Sequence, residues 1–489
     1  MRRCRMEDEI PILKRETRNI EPQGFEFRIS NFLFSALIFL GFIACQPEEE
    51  LISKSPNLKL AISQDTVIFD TLLTDRGSIT RRFRIYNPNK AAVKLDRIAL
   101  GKGDVSDYSL VINGRDSTQL DNQTLYNEVL QGKDSLQVLV SVFIDPQDQN
   151  LPYLVKDSVV FDWNGNSAHV KLVAYGQDAV FVNKETLCDI TWTADRPYVL
   201  MDTVVVEAGC TLNIDPGAQL FLDNGAGLFV KGSLKMLGTR EERITVRNTR
   251  FDIRYQQAPG QWDAIYFLEG SKANEINYTD ISNGTIGLRV GTPDDDSEYD
   301  VVVSNSTIGH MSRSGILAFT SDVQAVNTLI YNCGQYVVGN FAGGNYQYDH
   351  CTLVNTPNFF FREGASVQFS DVIILANDEP IVEDLNLKIR NTIIWGSEEE
   401  ELLISESGQA VVDKDFVSGI LKSKGGFLDF FASQEANFPG FTNPFLFDYS
   451  LDTLSPAKDK GTDIGVFIDL NGTPRDVNPD IGAYERIEE

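Results

Sequence analysis

The chain has 489 residues, which is too long for a single domain of ordinary size, so two or three domains are expected. Its 43 Lys and Arg against 70 Asp and Glu give a net charge of -27, which argues against a nucleic-acid partner. Hydrophobic residues make up 42% of the chain, and no stretch has a sustained apolar helical period. The composition therefore predicts a folded, nearly all-β protein.

The first feature along the chain is an apolar segment near the N-terminus. Residues 32–44 (FLFSALIFLGFIA) follow Arg28 and are too short to span a bilayer, which needs about 20 residues. A basic flank, a short apolar core and a small residue before Cys45 are typical of a secretory signal. Residues 1–44 are therefore predicted to be a signal peptide, in which residues 1–27 are an extension from a start codon assigned too early.

The junction of Ala44 and Cys45 resembles the lipobox of bacterial lipoproteins. The resemblance implies that Cys45 is acylated, becomes the mature N-terminus and anchors the protein in a lipid bilayer, the outer membrane, at the cell surface. Residues 45–57 are then a lipidated tether. Its acidic run resembles the export tags that send lipoproteins of Bacteroidota to the outer face of that membrane, although a solvated linker has the same composition.

Residues 58–180 have the pattern of a β-sandwich. Apolar and polar residues alternate in short runs, which are separated by Asn-Pro-Asn, Asn-Gly and Gly-Lys turns. The stretch FRIYNPNKAAVKLDRIAL, with VLVSVFIDP further on, resembles bacterial immunoglobulin-like modules of the kind also found in cilium and spindle proteins. The resemblance implies a spacer or docking unit.

Residues 185–415 contain a repeat. Apolar residues recur with spacings, by subtraction, of 27, 22, 23, 21 and 20 residues: Ile281, Ile308, Ile330, Leu353, Ile374 and Ile394. Three residues before the last five stand Asn305, Asn327, His350, Asp371 and Asn391. Further upstream, outward positions between apolar ones hold Val302, Gln324, Gln347, Gln368 and Lys388. Coils that stack like with like at about 4.8 Å would fill a bore with the apolar columns and hydrogen-bond the Asn column. The repeat predicts a parallel β-helix, right-handed as parallel crossovers are.

A family resemblance supports that architecture. It is carried by PYVLMDTVVVEAGCTLNIDPGAQLFLDNGAGLFVKGSLKMLGT, GQWDAIYFLEGS, INYTDISNGTIGLRV, SPAKDKGTDIG and PDIGAYE. Across roughly residues 185–489 the chain resembles a family of right-handed parallel β-helix lipoproteins from gut and oral Bacteroidota, which implies a pectate-lyase-like superfold and a location but no established reaction. Residues 416–489, with the DIGAYE motif, are predicted to end and cap the helix. The predicted fold class is all-β, an immunoglobulin-like β-sandwich followed by a right-handed parallel β-helix.

Catalytic motifs of β-helix enzymes are not found in the sequence. Polygalacturonase-like enzymes carry Asn-Thr-Asp, Asp-Asp, Gly-His-Gly and Arg-Ile-Lys segments, whereas here Gly309-His310 is followed by Met311, and Asn-Thr-Asp and Arg-Ile-Lys segments are absent. The acidic run from Asp294 to Asp296 is more typical of a solvated loop than of a metal site. His350 is interpreted as a stacked side chain and Trp262 as core. No catalytic site, metal or cofactor is assigned.

Four cysteines remain after Cys4 and Cys45. Cys333 and Cys351 are predicted not to pair, because they are offset by five places in the repeat, farther than a disulfide reaches. Whether Cys188 and Cys210 pair is left open.

These observations favour a non-catalytic surface protein in which the sandwich is a stalk and the β-helix presents a polar sheet face to a polysaccharide or a surface protein. The candidate face comprises Gln324, Gln347, Gln368, Lys388, Asp349 and Arg390. One alternative is a polysaccharide lyase or glycoside hydrolase that acts on the same face. Another is a structural envelope protein.

Overall fold

The computed structural model describes residues 51–116, 118–291, 298–356, 360–424, 430–433 and 439–486. In these ranges the regular elements are β-strands and three 3-10 helices, Gly103–Val105, Ile253–Tyr255 and Pro444–Leu446. No helix of the described part is long and apolar enough to cross a membrane. The predicted signal peptide, Cys45 and the loop acids Asp294 to Asp296 lie outside the described residues.

The N-terminal unit is a β-sandwich. Its strands are β1 (Ile52–Ser53), β2 (Ala61–Ile62), β3 (Thr66–Leu73), β4 (Arg81–Tyr86), β5 (Ala92–Leu100), β6 (Tyr108–Ile112), β7 (Leu125–Leu130), β8 (Ser135–Val142), β9 (Tyr153–Trp163) and β10 (Asn166–Gln177). One sheet has the order β1-β5-β9-β10-β3 with β7 beside β5, and the other has the order β2-β4-β8-β6. Alternation along the strands places Phe83 and Ile85 of one sheet in the same core as Val159 and Phe161 of the other.

Parallel strands follow from residue 180. They are β11 (Val180–Val182), β12 (Thr186–Leu187), β13 (Ile190–Trp192), β14 (Tyr198–Leu200), β15 (Thr203–Val206), β16 (Thr211–Ile214), β17 (Gln219–Leu222), β18 (Gly227–Val230), β19 (Ser233–Leu237), β20 (Ile244–Asn248), β21 (Ile265–Phe267), β22 (Asn274–Asn277), β23 (Thr279–Ser282), β24 (Ile286–Val290), β25 (Val301–Ser304), β26 (Thr307–Met311), β27 (Ser314–Phe319), β28 (Val323–Val326), β29 (Leu329–Cys333), β30 (Tyr336–Phe341), β31 (Gly344–Asp349), β32 (Thr352–Asn355), β33 (Val367–Ser370), β34 (Val372–Ile374), β35 (Pro380–Val382), β36 (Leu385–Gly396), β37 (Leu402–Ser405), β38 (Val412–Lys422) and β39 (Phe430–Ser433). With the exception of the antiparallel hairpin β34–β35, each strand pairs with its counterpart in the next coil. The expected fold class is confirmed.

Each coil contributes strands to three faces. The first face consists of β13, β16, β19, β22, β25, β28, β31 and the first halves of β36 and β38. The second face consists of β11, β14, β17, β20, β23, β26, β29, β32, the second halves of β36 and β38, and β39. The third face is the nine-stranded sheet β12-β15-β18-β21-β24-β27-β30-β33-β37. The predicted boundary after residue 415 falls inside β38, so the repeat continues past it.

The apolar column of the repeat follows the predicted register over most of its length. Ile281, Ile308, Ile330, Leu353 and Ile394 are neighbours on the second face. Ile374 is not in this column and the prediction for it is wrong: it lies in the hairpin β34–β35 and is 60% exposed. Its segment belongs to one long coil, because residues 346 and 387, which are 41 apart, pair directly.

The bend between the first and second faces explains the polar column. It is formed by residues with φ values between 45° and 49°: Tyr278, Asn305, Asn327, His350, Asn391 and Ser418. Apart from Gly, Asn is the residue that best tolerates this left-handed backbone conformation. The side chains also bond along the stack, as predicted, since Asn327 Nδ2 donates to Asn305 Oδ1 at 3.2 Å. Asp371 does not take part, because it follows β33 on the third face.

The C-terminal segment covers the second face. It contains the hairpin of β40 (Phe441–Asn443) and β41 (Asp448–Leu451). Tyr449 and Ile481 are buried against the outward side chains Val354 and Trp395 of that face. The described part of this segment therefore packs along the second face of the β-helix.

The cysteines divide into one bridge and two thiols. Cys188 and Cys210 form a disulfide between adjacent coils, which answers the question left open by the sequence. Cys333 and Cys351 are buried and unpaired. The register Ile330 to Leu353, on which the prediction of their offset depends, is confirmed.

Candidate functional site

Three residues of the predicted face lie in one outward column of the first face. Gln324 pairs in register with Gln347, and Gln347 pairs with Lys388. The complete column is Thr191, Asn213, Lys235, Glu275, Val302, Gln324, Gln347, Lys388 and Asp415. Every coil thus adds one side chain at the strand spacing of about 4.8 Å, and all but one of these side chains are polar.

Gln368 does not belong to this column, and the prediction for it is wrong. It lies on the third face, between Gly339 and Leu403 of the neighbouring coils. Its Nε2 donates to the carbonyl oxygen of Ala365 at 3.1 Å. The error has a physical source: Val367–Ser370 has the same inward and outward alternation as a first-face strand, and alternation alone does not specify which face a strand joins.

Asp349 and Arg390 are neighbours of the column and form an ion pair. Arg390 donates from Nε to Asp349 Oδ1 at 2.8 Å and from Nη2 to Oδ2 at 2.6 Å, a bidentate contact. The Asp349 side chain is 3% exposed, so it lies beneath the surface instead of projecting from it. The hydrogen bonds from Arg390 to Asp349 raise the pKa of that guanidinium, which keeps it charged.

The ion pair continues into a hydrogen-bonded network that fixes Gln347. Gln347 donates from Nε2 to Asp349 Oδ2 at 2.6 Å, and its Oε1 accepts from the Tyr299 hydroxyl at 2.9 Å. Burial, followed by the nearby Asp349 charge, raises the pKa of Tyr299, so its hydroxyl keeps the donated proton at neutral pH. The amide orientation is therefore set before any ligand arrives.

An amide ladder runs beside the column on the same face. Asn386 donates from Nδ2 to Asn345 Oδ1 at 2.7 Å, and Asn345 donates from Nδ2 to Asp322 Oδ2 at 2.8 Å. The pattern of the sequence did not single out Asn345, Asn386 or Tyr299. What the sequence reading lacked was the length of this coil. Residues 346 and 387 are 41 apart in sequence and pair directly, and in that register Asn345 pairs with Asn386.

A cleft of about 550 Å³ opens on the earlier coils of this face. Its lining includes Lys235, Glu275 and Gln324 of the outward column, together with Tyr299. The Lys235 Nζ and Glu275 Oε2 atoms are 3.4 Å apart. The cleft is within the range of about 300–1,000 Å³ that is typical of small-ligand sites, and its walls combine a phenol with amide and charged groups.

Aromatic side chains on the third face pack against one another. Phe229 and Tyr266 stack with ring centroids 4.5 Å apart and planes 5° apart, and the Arg289 guanidinium lies 4.0 Å from the Phe319 ring centroid. These rings stack along the helix axis, so their faces are occupied by the adjacent coils. Trp262 is 1% exposed, as its interpretation as core predicts.

One grouping of potential metal ligands occurs within the described ranges. It comprises Cys188, Asp189 and Cys210. Because the two sulfur atoms form the disulfide, neither is a thiolate ligand. The arrangement therefore gives no metal centre.

The comparisons with known proteins give no family for the chain. No protein-family model matches it, and no curated protein matches it. Among solved structures it is similar to a PapD-like domain of human CEP192, at 14% identity over 27% of this chain and 96% of that chain with a TM-score of 0.17. It is also similar to the Agl-KA catalytic domain, at 10% identity over 77% of this chain and 86% of that one with a TM-score of 0.25. A third similarity is to the catalytic domain of a GH87 α-1,3-glucanase in complex with nigerose, at 8% identity over 68% and 90% with a TM-score of 0.16. At these TM-scores the similarities carry no argument about function.

Proposed function

We propose that the protein is a lipid-anchored surface protein of the outer membrane that binds a glycan on the first face of its β-helix without cleaving it. The anchor part of the proposal is supported by the apolar segment before Cys45 and by the resemblance to β-helix lipoproteins of Bacteroidota. The binding part is supported by the outward column and its neighbours.

The single observation that carries the binding proposal is the regular spacing of polar groups along the first face. Gln324, Gln347 and Lys388 follow one another on adjacent coils, about 4.8 Å apart. Amide side chains both donate and accept hydrogen bonds, as sugar hydroxyls do. A linear row of such groups suits an extended chain, whose free energy of binding is spread over many weak contacts.

The carboxylates of this region favour binding over cleavage. A glycoside hydrolase needs two carboxyl groups on either side of the scissile bond, one of which must carry a proton. Asp349 accepts hydrogen bonds from Arg390 and Gln347, and Glu275 faces Lys235. Asp280 on the second face is held by Arg243 at 2.7 Å. Each of these three acids is already paired with a cation of the chain, which leaves none of the three as a free carboxyl group for either role.

The proposal is tested with the chain expressed from residue 45 and carrying Cys45→Ala to prevent acylation. Binding to a panel of neutral and uronic-acid polysaccharides is measured by affinity electrophoresis, and product release is followed by ultraviolet absorbance of unsaturated ends and by reducing-end assay. Retention by at least one polysaccharide without product formation is expected. New product that is lost on substitution of one Arg or Asp on the coils would show the enzyme alternative to be right.

A further inference from the structure

The junction between the sandwich and the β-helix is held by direct contacts. Leu73 of the sandwich is buried with Val199 and Phe221 of the β-helix in one small core. The Arg76 Nη2 and Asp223 Oδ2 atoms are 2.9 Å apart across the same junction. Because apolar packing and an ion pair both join the two units, the surfaces that flank the junction keep a fixed relation to each other.

Beside this junction lies a cleft of about 1070 Å³ that both units line. Four arginines line this cleft, two from each unit. Arg81 and Arg82 lie on β4, and Arg250 and Arg254 follow β20 in the chain. They are about 170 residues apart in sequence, so the pattern of the chain did not reveal the group.

The cleft has an excess of positive charge. Arg81 lies 3.2 Å from Asp70, and Arg250 lies 3.4 Å from Asp252. Arg82 and Arg254 are exposed and form no ion pair among the described residues. Four arginines against those two acids leave a surplus of two positive charges in a chain whose net charge is -27. Such a local reversal of sign attracts an anion, whereas the acidic remainder of the surface repels it.

The same cleft offers apolar surface between its cations. Tyr255 lies in the wall, and the Arg250 guanidinium sits 3.8 Å from its ring centroid. Ile68 is 59% exposed and Ile253 is 81% exposed. Guanidinium groups bind carboxylate and sulfate oxygens through paired N–H donors, while aromatic and aliphatic surfaces suit the C–H faces of sugar rings.

We propose that this interdomain cleft binds an anionic polysaccharide, a chain of sugar rings that carry carboxylate or sulfate groups, with Arg82 and Arg254 as its principal contacts. The volume exceeds the range of about 300–1,000 Å³ typical of small-ligand sites, which favours several sugar units over a single small anion. The sandwich then contributes one wall of a binding site. This site is separate from the first face, so it does not depend on the function proposed above.

The test uses the chain from residue 45 with Cys45→Ala and isothermal calorimetry at low salt. The probes are an oligogalacturonate, its methyl ester, monomeric galacturonate, and dextran sulfate beside neutral dextran. We expect an anionic oligomer to bind while its uncharged counterpart does not. Arg82→Gln with Arg254→Gln should weaken that binding about tenfold or more, because two charge-assisted contacts are lost.

The matched control is Arg97→Gln with Arg313→Gln, which removes one arginine from each unit and the same total charge outside the cleft. This control should change the affinity by less than about twofold, because neither Arg97, which is paired with Asp162, nor Arg313 lines the cleft. Gln368→Ala on the third face, outside both proposed binding surfaces, should leave it unchanged. The proposal is overturned if neither anionic polymer binds, if the control weakens binding as much as the cleft variant, or if the galacturonate monomer binds as tightly as the oligomer.

Discussion

Asn391 donates a hydrogen bond from Nδ2 to Nε2 of His350 at 2.8 Å, which joins two successive coils at the left-handed bend between the first and second faces. The same amide group donates to the carbonyl oxygen of Thr462 at 2.7 Å. His350 accepts at Nε2, so this nitrogen carries no proton. The bend is thus the place where the coils are attached both to one another and to the C-terminal segment.

The neutral state of His350 makes stability depend on pH. Burial, with a smaller contribution from the Arg475 charge, lowers its pKa to about 3 in the folded chain, against the ordinary value of 6.5. Between these values the unfolded chain binds the extra proton, so the free energy of unfolding falls as pH drops from 6.5 towards 3. Between pH 7 and pH 5, we expect the free energy of unfolding to fall by about 2 kcal/mol less in His350→Asn than in the parent chain.

Urea unfolding at the two pH values measures this difference. Asn is the residue at three of the other bend positions, Asn305, Asn327 and Asn391, so the variant keeps a suitable backbone. His169→Asn, at an exposed position of the sandwich, is the control and should follow the parent chain. An identical pH dependence of His350→Asn and the parent would contradict the prediction.

Arg475 anchors the C-terminal segment through a buried ion pair. Its Nη1 lies 3.0 Å from Glu485 Oε2 in the DIGAYE motif, and the two side chains are 1% and 5% exposed. Its Nη2 also donates to Asn327 Oδ1 at 3.0 Å. Arg475→Ala leaves a buried carboxylate without its cation, and we expect a loss of about 3–5 kcal/mol together with rapid proteolysis of the segment.

The control for that variant is an exposed pair of similar geometry. The Lys414 Nζ and Glu406 Oε1 atoms are 2.7 Å apart, and these side chains are 29% and 46% exposed. Lys414→Ala should cost about 1 kcal/mol or less. Equal resistance of the Arg475→Ala and parent chains to limited proteolysis would show that the segment is not held by this contact.

The Cys188–Cys210 disulfide closes a loop of one coil, with a sequence separation of 22 residues. Restricting the unfolded chain by such a loop contributes about 3 kcal/mol. Cys188→Ala with Cys210→Ala should lower the melting temperature measured by calorimetry. An unchanged melting temperature in the double variant would contradict a stabilising bridge.

In the native parent chain Cys333 should resist alkylation, because burial raises its pKa to about 12.

Acylation of Cys45 is the prediction for the anchor. Cys45→Ala should release the protein from the membrane fraction and abolish incorporation of labelled fatty acid, because a cleaved signal alone gives no attachment. Retention of the label by the variant would show that the lipid is attached elsewhere.

Much of the fold follows from the sequence because each β-helix coil repeats the same local constraints. Ile281, Ile308, Ile330 and Leu353 align at the predicted register, since inward positions must be apolar in every coil. The Asn column follows from the left-handed bend. The position predicted for Gln368 is wrong for a physical reason. The segment with β33 and the exposed hairpin β34–β35 has about the length of one repeat, but β33, which contains Gln368, pairs on the third face.

The sites follow less directly. The register of Gln324, Gln347 and Lys388 could be predicted from local alternation. The hydrogen bond from Tyr299 to Gln347 and the meeting of Arg82 with Arg254 depend on how distant segments come together, which no local period encodes.

Two glutamines on different faces provide the matched comparison for glycan binding by the first face. Gln347 lies on the first face and Gln368 on the third, and both side chains are partly exposed. Affinity for a retained neutral polysaccharide is measured by calorimetry for Gln347→Ala, Gln324→Ala and Gln368→Ala. We expect the two first-face variants to weaken binding about fivefold each, the loss of roughly one hydrogen bond, and Gln368→Ala to change it less than twofold. Equal weakening by all three variants, or by Gln368→Ala alone, would contradict the first face as the glycan-binding surface.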